Sequence, residues 1–282
     1  KTFASLFASP FSTFSTMGNS SSTSTARDLE DPTGDQPSGI RFYVNPARQN
    51  AYAARTNIVL LELNVPFSKF EIPKENSPSW FIRMNPRGAI PALQNPTDGT
   101  FVYGTTICNE YLCDLAREEV PEAEAEDGIL MMMPTKAKDR AQLRVLCDHV
   151  DHLIVPKLNA VLTNADKEKE EKLISQLETT LGLMEHTLQE GEKGEDEEGE
   201  TGKDYLMGKT FSVADAHLLP FFNRMMVLLP KFMSYSTPED KFPLLLKWLE
   251  KCKERESVQK SIQKEEDMIA QYNKFIDNGY KW

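Results

Sequence analysis

The spacing of apolar and polar positions changes character once along this chain. Residues 40–44 are β-rich and run into Asn45-Pro46, a turn signal. Ala51, Ala54, Ile58, Leu61 and Val65 then recur at steps of three and four, the stripe of an amphipathic helix. Residues 65–72 alternate and stop at Pro73, which predicts a second strand. A short helix is expected over 79–84, ended by Asn85-Pro86. Residues 91–93 and 100–103 flank Asp98-Gly99, a strong hairpin turn. Thr105 then caps a helix carrying Ile107, Leu112 and Leu115. The order is βαβαββα.

From residue 135 onward only helical periods occur. Leu143, Leu146, Val150 and Leu153 make one face, and Ile174, Leu177, Leu181, Met184 and Leu188 make another. Ser212 and Asp215 have capping-box spacing at the start of a helix that is apolar almost all round, as suits the centre of a bundle. Two more helices are expected near 239–253 and 256–276. The chain thus reads as an α/β unit over 40–116 and an all-helical unit over 135–282. An acidic linker over 117–134 joins them, and an acidic Gly/Glu loop at 191–204 interrupts the second. Residues 1–39 show no period that could bury a core and are read as a disordered tail.

Length and composition agree with two domains: 282 residues, 40% of them apolar. The net charge of −11 is localised, because residues 117–127 and 190–204 together hold fourteen acids against three bases. The remainder is neutral, which argues against a nucleic-acid or anionic-membrane binder. The longest apolar stretch, 218–233, is broken by Pro220, Asn223, Arg224 and Pro230, so no transmembrane segment is expected. Four cysteines without a CxxC pair fit a reducing compartment, and the expected location is cytoplasmic. The tail, with 13 Ser or Thr among its first 27 residues and no acid before Asp28, also suits a plastid or mitochondrial targeting segment. Met17-Gly18-Asn19-Ser20-Ser21-Ser22 fits the myristoylation pattern if Met17 is the initiator.

Three segments, in order and at suitable spacing, resemble the cytosolic glutathione transferase superfamily. They are Asn85-Pro86-Arg87-Gly88-Ala89-Ile90-Pro91-Ala92-Leu93, then Asp98 through Ile107 with Tyr111-Leu112, and Phe211-Ser212-Val213-Ala214-Asp215-Ala216-His217-Leu218-Leu219-Pro220. Ser79-Trp80-Phe81 is similar to the omega and dehydroascorbate-reductase-like branch. The resemblance covers about 40–282 and implies a thioredoxin-like domain followed by a helical one. It further implies glutathione as co-substrate, no metal, a small electrophilic substrate held between the domains, and a homodimer.

Within that resemblance each candidate residue has a physical role. A cis Ile90–Pro91 bond would turn the Ile90 backbone toward the cleft, where an extended peptide such as glutathione could pair as an added strand. Thr105 stands at a helix N-terminus, which favours the γ-glutamyl carboxylate; it also suits a plain cap. Gly104 departs from the family, whose acid at this place pairs with the γ-glutamyl amine. Lys74 and Arg48 are the remaining candidate contacts to glutathione. Counting five residues back from the basic anchor Arg55 puts Asn50 at the thiol-activating position, with Tyr43 and Tyr52 as alternatives.

Lacking cysteine there, the chain is not expected to run the covalent thioltransferase route. Conjugation remains open, since a hydrogen bond to a charged group contributes about 1.5–3 kcal/mol, or roughly one to two pKa units on the glutathione thiol. Two other functions fit the same residues. One is a non-catalytic carrier or scaffold on this fold, and the other is a glutathione-dependent reductase or isomerase. His149 and His152 lack the further ligands a zinc site needs. Cys108, Cys113 and the methionine runs are expected to pack as apolar filler.

Overall fold

A computed structural model describes residues 39–45, 51–73, 76–118, 129–130, 132–189 and 203–280. The first unit has the expected βαβαββα order. It runs β1 (Ile40–Val44), α1 (Ala51–Glu62), β2 (Phe67–Glu71), α2 (Ser79–Met84), β3 (Ala92–Gln94), β4 (Phe101–Tyr103) and α3 (Thr105–Glu118). The sheet order is β2-β1-β3-β4, with β1 parallel to β2 and antiparallel to β3. The β1–β3 ladder reaches Tyr43↔Ala92 at the end where β1 gives way to α1.

Because β1 is central, its residues are buried on both faces. Ile40 and Phe42 join the main core under α1 and α3. Tyr43 points the other way, into a second cluster with Ile72, Phe81 and Ala92 beneath α2. A one-residue slip of β1 would exchange these two sets, so the pattern pins the register.

The acidic linker expected over 117–134 is partly structured. Arg117 and Glu118 complete α3, and a small hairpin follows, β5 (Ile129–Leu130) with β6 (Met133–Pro134). Met133 is fully buried and the Val213 N–H donates to the Met132 carbonyl, so backbone pairing and burial offset the polar composition nearby. The tail over 1–38, residues 119–128 of the linker and 191–202 of the acidic loop lie outside the described residues.

The helical unit comprises α4 (Ala137–His149), α5 (Val155–Leu162), α6 (Lys167–Gln189), α7 (Val213–Phe232), α8 (Pro243–Lys253), α9 (Glu256–Gln259) and α10 (Glu265–Asp277). The single helix expected over 256–276 is therefore two, separated by residues 260–264. A π-helical turn, Val150–Ile154, joins α4 to α5. The buried stripe is Leu143, Cys147, Val150 and Ile154, leaving Leu146 and Leu153 only partly buried. In α3 the buried apolar residues are Cys108, Leu112, Cys113 and Ala116, while Ile107 is 57% exposed, contrary to its expected core position. The cysteines pack as small apolar residues, and burial pushes the Cys108 thiol up to about 12.

α7 occupies the bundle centre, and its start is fixed by the expected capping box. Asp215, fully buried, accepts from the Ser212 N–H at 2.9 Å, the Ser212 hydroxyl at 2.7 Å, the Leu206 N–H at 2.8 Å and the Trp248 indole N–H at 2.8 Å. α1 packs on α7, so the first unit's main helix is also the floor of the domain junction.

Gly39 enters β1 at φ +128, and a Cβ there would stand 2.5 Å from the Pro66 carbonyl oxygen. Gly39→Ala is accordingly expected to destabilise the protein by about 2–3 kcal/mol, from strain and displacement of the β1–β2 start. Urea unfolding monitored by circular dichroism checks this; a loss under about 0.5 kcal/mol, the ordinary scatter of surface substitutions, would contradict it.

Candidate functional site

The open end of the sheet is shaped by a loop that closes on its own asparagine. Asn85, fully buried, donates its side-chain N–H to the Ala89 carbonyl at 2.7 Å and accepts the Ala89 N–H at 3.2 Å. Gly88, at φ +56, lets the chain turn within this clasp. The loop delivers Ile90–Pro91, whose peptide bond is cis as expected. Ile90 stands outside the β1–β3 ladder, which begins at Ala92, and is partly exposed.

The N-terminus of α3 closes the other side. The Gly104 N–H donates to the Pro91 carbonyl at 3.0 Å, binding the end of β4 to the cis-proline segment. Gly104 itself is the N-cap, because its carbonyl accepts the Cys108 N–H at 2.9 Å. Thr105, expected to be the cap, is instead the first helical residue, 8% exposed, and its N–H is among those a helix leaves free for a ligand. Gly104 sits at φ +89, and a Cβ there would meet nothing within 4 Å. A side chain at position 104 would therefore have room but an adverse backbone conformation.

The activating candidates separate. Asn50 and Arg48 lie outside the described residues, as does Lys74. Tyr43, the first alternative, is fully buried: its hydroxyl donates to Gln94 Oε1 at 2.8 Å, and its ring packs against Phe81 and Phe101. A phenol committed to the core in this way cannot reach a thiol, contrary to the expectation for Tyr43. Tyr52, on the first turn of α1, stacks edge-on against Phe221 at 4.9 Å. Burial raises its phenol above the ordinary value, and the Arg55 charge partly counters that.

Arg55, treated from sequence only as an anchor, ties the two units together. Fully buried, it donates from Nε to the His217 carbonyl at 2.6 Å and from Nη1 to Asp151 Oδ1 at 2.8 Å. Its guanidinium lies 4.4 Å from the Phe221 ring centre and 5.1 Å from that of Tyr52. The π-helical turn brings Asp151 here, with Asp151 Oδ2 3.0 Å from His217 Nε2. Burial alone would raise the Asp151 carboxyl, yet contact with His217 and the Arg55 charge hold it down at about 2. Burial pushes His217 down to about 4, aided by the Arg55 charge, so the imidazole is neutral near pH 7. Nothing in the composition announces this cluster, because Asp151 follows a helix already rich in charged residues and carries no distinguishing signal.

A second hollow, of about 400 Å³, opens between α1, the β2 edge, α7 and the α9–α10 connection. None of Ile90, Pro91, Gly104 or Thr105 lines it. Three buried asparagines do: Asn45, Asn57 and Asn223, at 8%, 5% and 6% exposure. Sequence periodicity overlooked them because isolated polar residues at helical spacing look solvated. His152 pairs with Asp148 one turn earlier on its own helix at 2.9 Å, and among the described residues no three potential metal ligands converge. Among the described residues no helix is long and apolar enough to cross a membrane.

Comparison with known proteins places these features in a lineage. The family model for the glutathione S-transferase N-terminal domain matches residues 51–115, and that for the glutathione S-transferase C-terminal domain matches residues 124–256. Glutathione S-transferase U25 of Arabidopsis thaliana is 28% identical over 225 residues, covering 77% of this chain and 87% of that protein. Glutathione S-transferase omega-1 of Sus scrofa is 27% identical over 198 residues, 70% of this chain and 72% of the relative. Among solved structures, glutathione transferase Omega 3C from Trametes versicolor superposes with a TM-score of 0.66 at 22% identity, over 86% of this chain and 94% of that one. Rice GST1 in complex with glutathione gives a TM-score of 0.69 at 19% identity, over 86% and 98%.

Proposed function

Since the chain belongs to the cytosolic glutathione transferase superfamily, we propose that it binds glutathione at the open end of the sheet and activates its thiol for conjugation to an electrophile. The observation that carries this reading is the joining of Pro91 to Gly104 by a 3.0 Å hydrogen bond. It sets the unladdered Ile90 backbone beside the free N–H groups of α3. An extended peptide has a strand partner at Ile90 and an anion site at Thr105 within one span. Asn50 then donates to the sulfur, assisted by the N-terminus of α1, and Lys74 and Arg48 supply charge to the carboxylates. The partner is a small electrophile. A second copy of the chain docks through the α3–α4 face, where Ile107 and Val145 are 57% and 51% exposed beside the Arg144–Glu110 pair. In the first instance the protein acts in the cytoplasm, or in an organelle if the tail is a targeting segment.

Calorimetry with reduced glutathione beside S-methylglutathione tests the reading. Micromolar to low-millimolar binding, with proton release only for the free thiol, is expected. Asn50→Ala should lower turnover at least tenfold with binding retained; unchanged turnover would remove Asn50 from the mechanism. The positive φ of Gly104 favours a second reading, a carrier or scaffold that kept the fold and lost the chemistry, and silence in the calorimeter at two temperatures would select it.

A further inference from the structure

The hollow beside α1 is built from polar parts whose needs the protein leaves unmet. Asn57 is 5% exposed and lines it. Its Nδ2 donates to the Ser261 hydroxyl at 2.6 Å, and that hydroxyl's own proton goes to the Ser257 carbonyl at 2.6 Å. The amide orientation is therefore fixed, since Ser261 has only one proton to give. Asn57 Oδ1 is left as a buried acceptor with no partner. Such an orphan costs about 1–3 kcal/mol and marks a place where a donor belongs.

Two of the charges at the rim lack ionic partners, the Lys69 ammonium lying over the Phe67 ring at 5.8 Å. Lys69 of β2 and Lys264 before α10 reach the hollow from opposite sides, and among the described residues neither forms an ion pair. Glu71 and Asp267 also border it. Asp267 lies in the first turn of α10, where free N–H groups compensate a negative charge, while the lysines have no such local partner. Partial burial lowers the Lys69 ammonium from its ordinary value. With Lys69, Arg224, Lys260 and Lys264 against Glu71 and Asp267, the lining carries two more positive charges than negative, which favours an anion.

We propose that this hollow is a second ligand site, separate from the Ile90–Thr105 end of the sheet. It takes a small carboxylic acid whose carboxylate meets Lys69 and Lys264 while an N–H or O–H group is donated to Asn57 Oδ1. A volume of about 400 Å³ lies within the usual range for small-molecule pockets, roughly 300–1,000 Å³. The site stands whether or not glutathione binds at Ile90.

The probes are hippurate and 4-hydroxyphenylacetate, each with its methyl ester, titrated calorimetrically into the full chain with and without saturating S-methylglutathione. At least one acid should bind, its ester at least tenfold more weakly, and S-methylglutathione should leave the affinity unchanged. Lys69→Met and Lys264→Met, both on the exposed rim, should each weaken the acid about fivefold, and Asn57→Asp at least tenfold. Thermal unfolding of each variant identifies loss of fold, and the rim variants keep the test intact if Asn57→Asp fails to fold. Silence from both acids, equal binding of the esters, or indifference to both lysine variants would overturn the site. Competition by S-methylglutathione would overturn its separateness, moving the acid to the sheet end.

Discussion

Asp215→Ala is expected to lower the unfolding free energy by about 4 kcal/mol, because a buried carboxylate serving several donors cannot be removed without leaving them unpaired. The Leu206 and Ser212 N–H groups, the Ser212 hydroxyl and the Trp248 indole all converge on this one side chain. They come from three stretches of chain: the approach to α7, its cap, and α8. Alanine would also leave a cavity where the carboxylate stood, at the centre of the bundle. For a chain of this size the loss corresponds to a fall in Tm of roughly 10 °C. Asp215→Asn keeps the shape and half the acceptor capacity, so it should fall between the two. Urea unfolding followed by far-ultraviolet circular dichroism reads both variants. A loss below about 1 kcal/mol for alanine, the size of one ordinary hydrogen bond, would mean that the donors find other acceptors.

Acid should destabilise the domain junction in two steps. His217 is held down at about 4, below its ordinary value, so the unfolded chain binds the proton first as pH falls. Stability from the neutral imidazole is present above about pH 6.5 and is lost between there and about pH 4, about 3 kcal/mol in all. Asp151, held at about 2, works over the next interval. Its contribution is present above about pH 4 and disappears toward about pH 2, on the order of 2 kcal/mol. The two groups touch, so the steps belong to the pair. Unfolding free energy measured in urea from about pH 7 to about pH 3 should fall steadily, and His217→Asn should flatten the segment between about pH 6.5 and 4. A flat profile in the parent protein would refute the linkage.

Much of the fold could be read from the sequence because its signals are local. Asn45-Pro46, Asn85-Pro86 and Asp98-Gly99 punctuate the first unit, and β1, α2 and the hairpin fall where those signals put them. Ser212 and Asp215 marked the start of α7 for the same reason. The failures are tertiary. Ile107 looked like core from its apolarity, yet α3 turns its two cysteines inward instead, and only the packing of α1 decides which stripe is buried. Tyr43 looked available as a hydroxyl, but alternation along β1 commits it to the face under α2. The cis-proline end and Thr105 were legible as a motif. Arg55 with Asp151 and His217, or Asn57 against Ser261, unite positions 66 to 204 residues apart, a distance over which a single sequence has no period to show.

The π-helical turn at Val150–Ile154 is a local widening in the rod from Ala137 to Leu162 rather than a change of phase. The buried positions Leu143, Cys147, Val150, Ile154, Leu158 and Val161 keep steps of three and four from one side of it to the other, as a regular helix would. What the irregularity serves is Asp151, which the turn carries to 2.8 Å from Arg55 and 3.0 Å from His217. The rod can be read by ordinary helical counting, while the turn answers to the junction it faces.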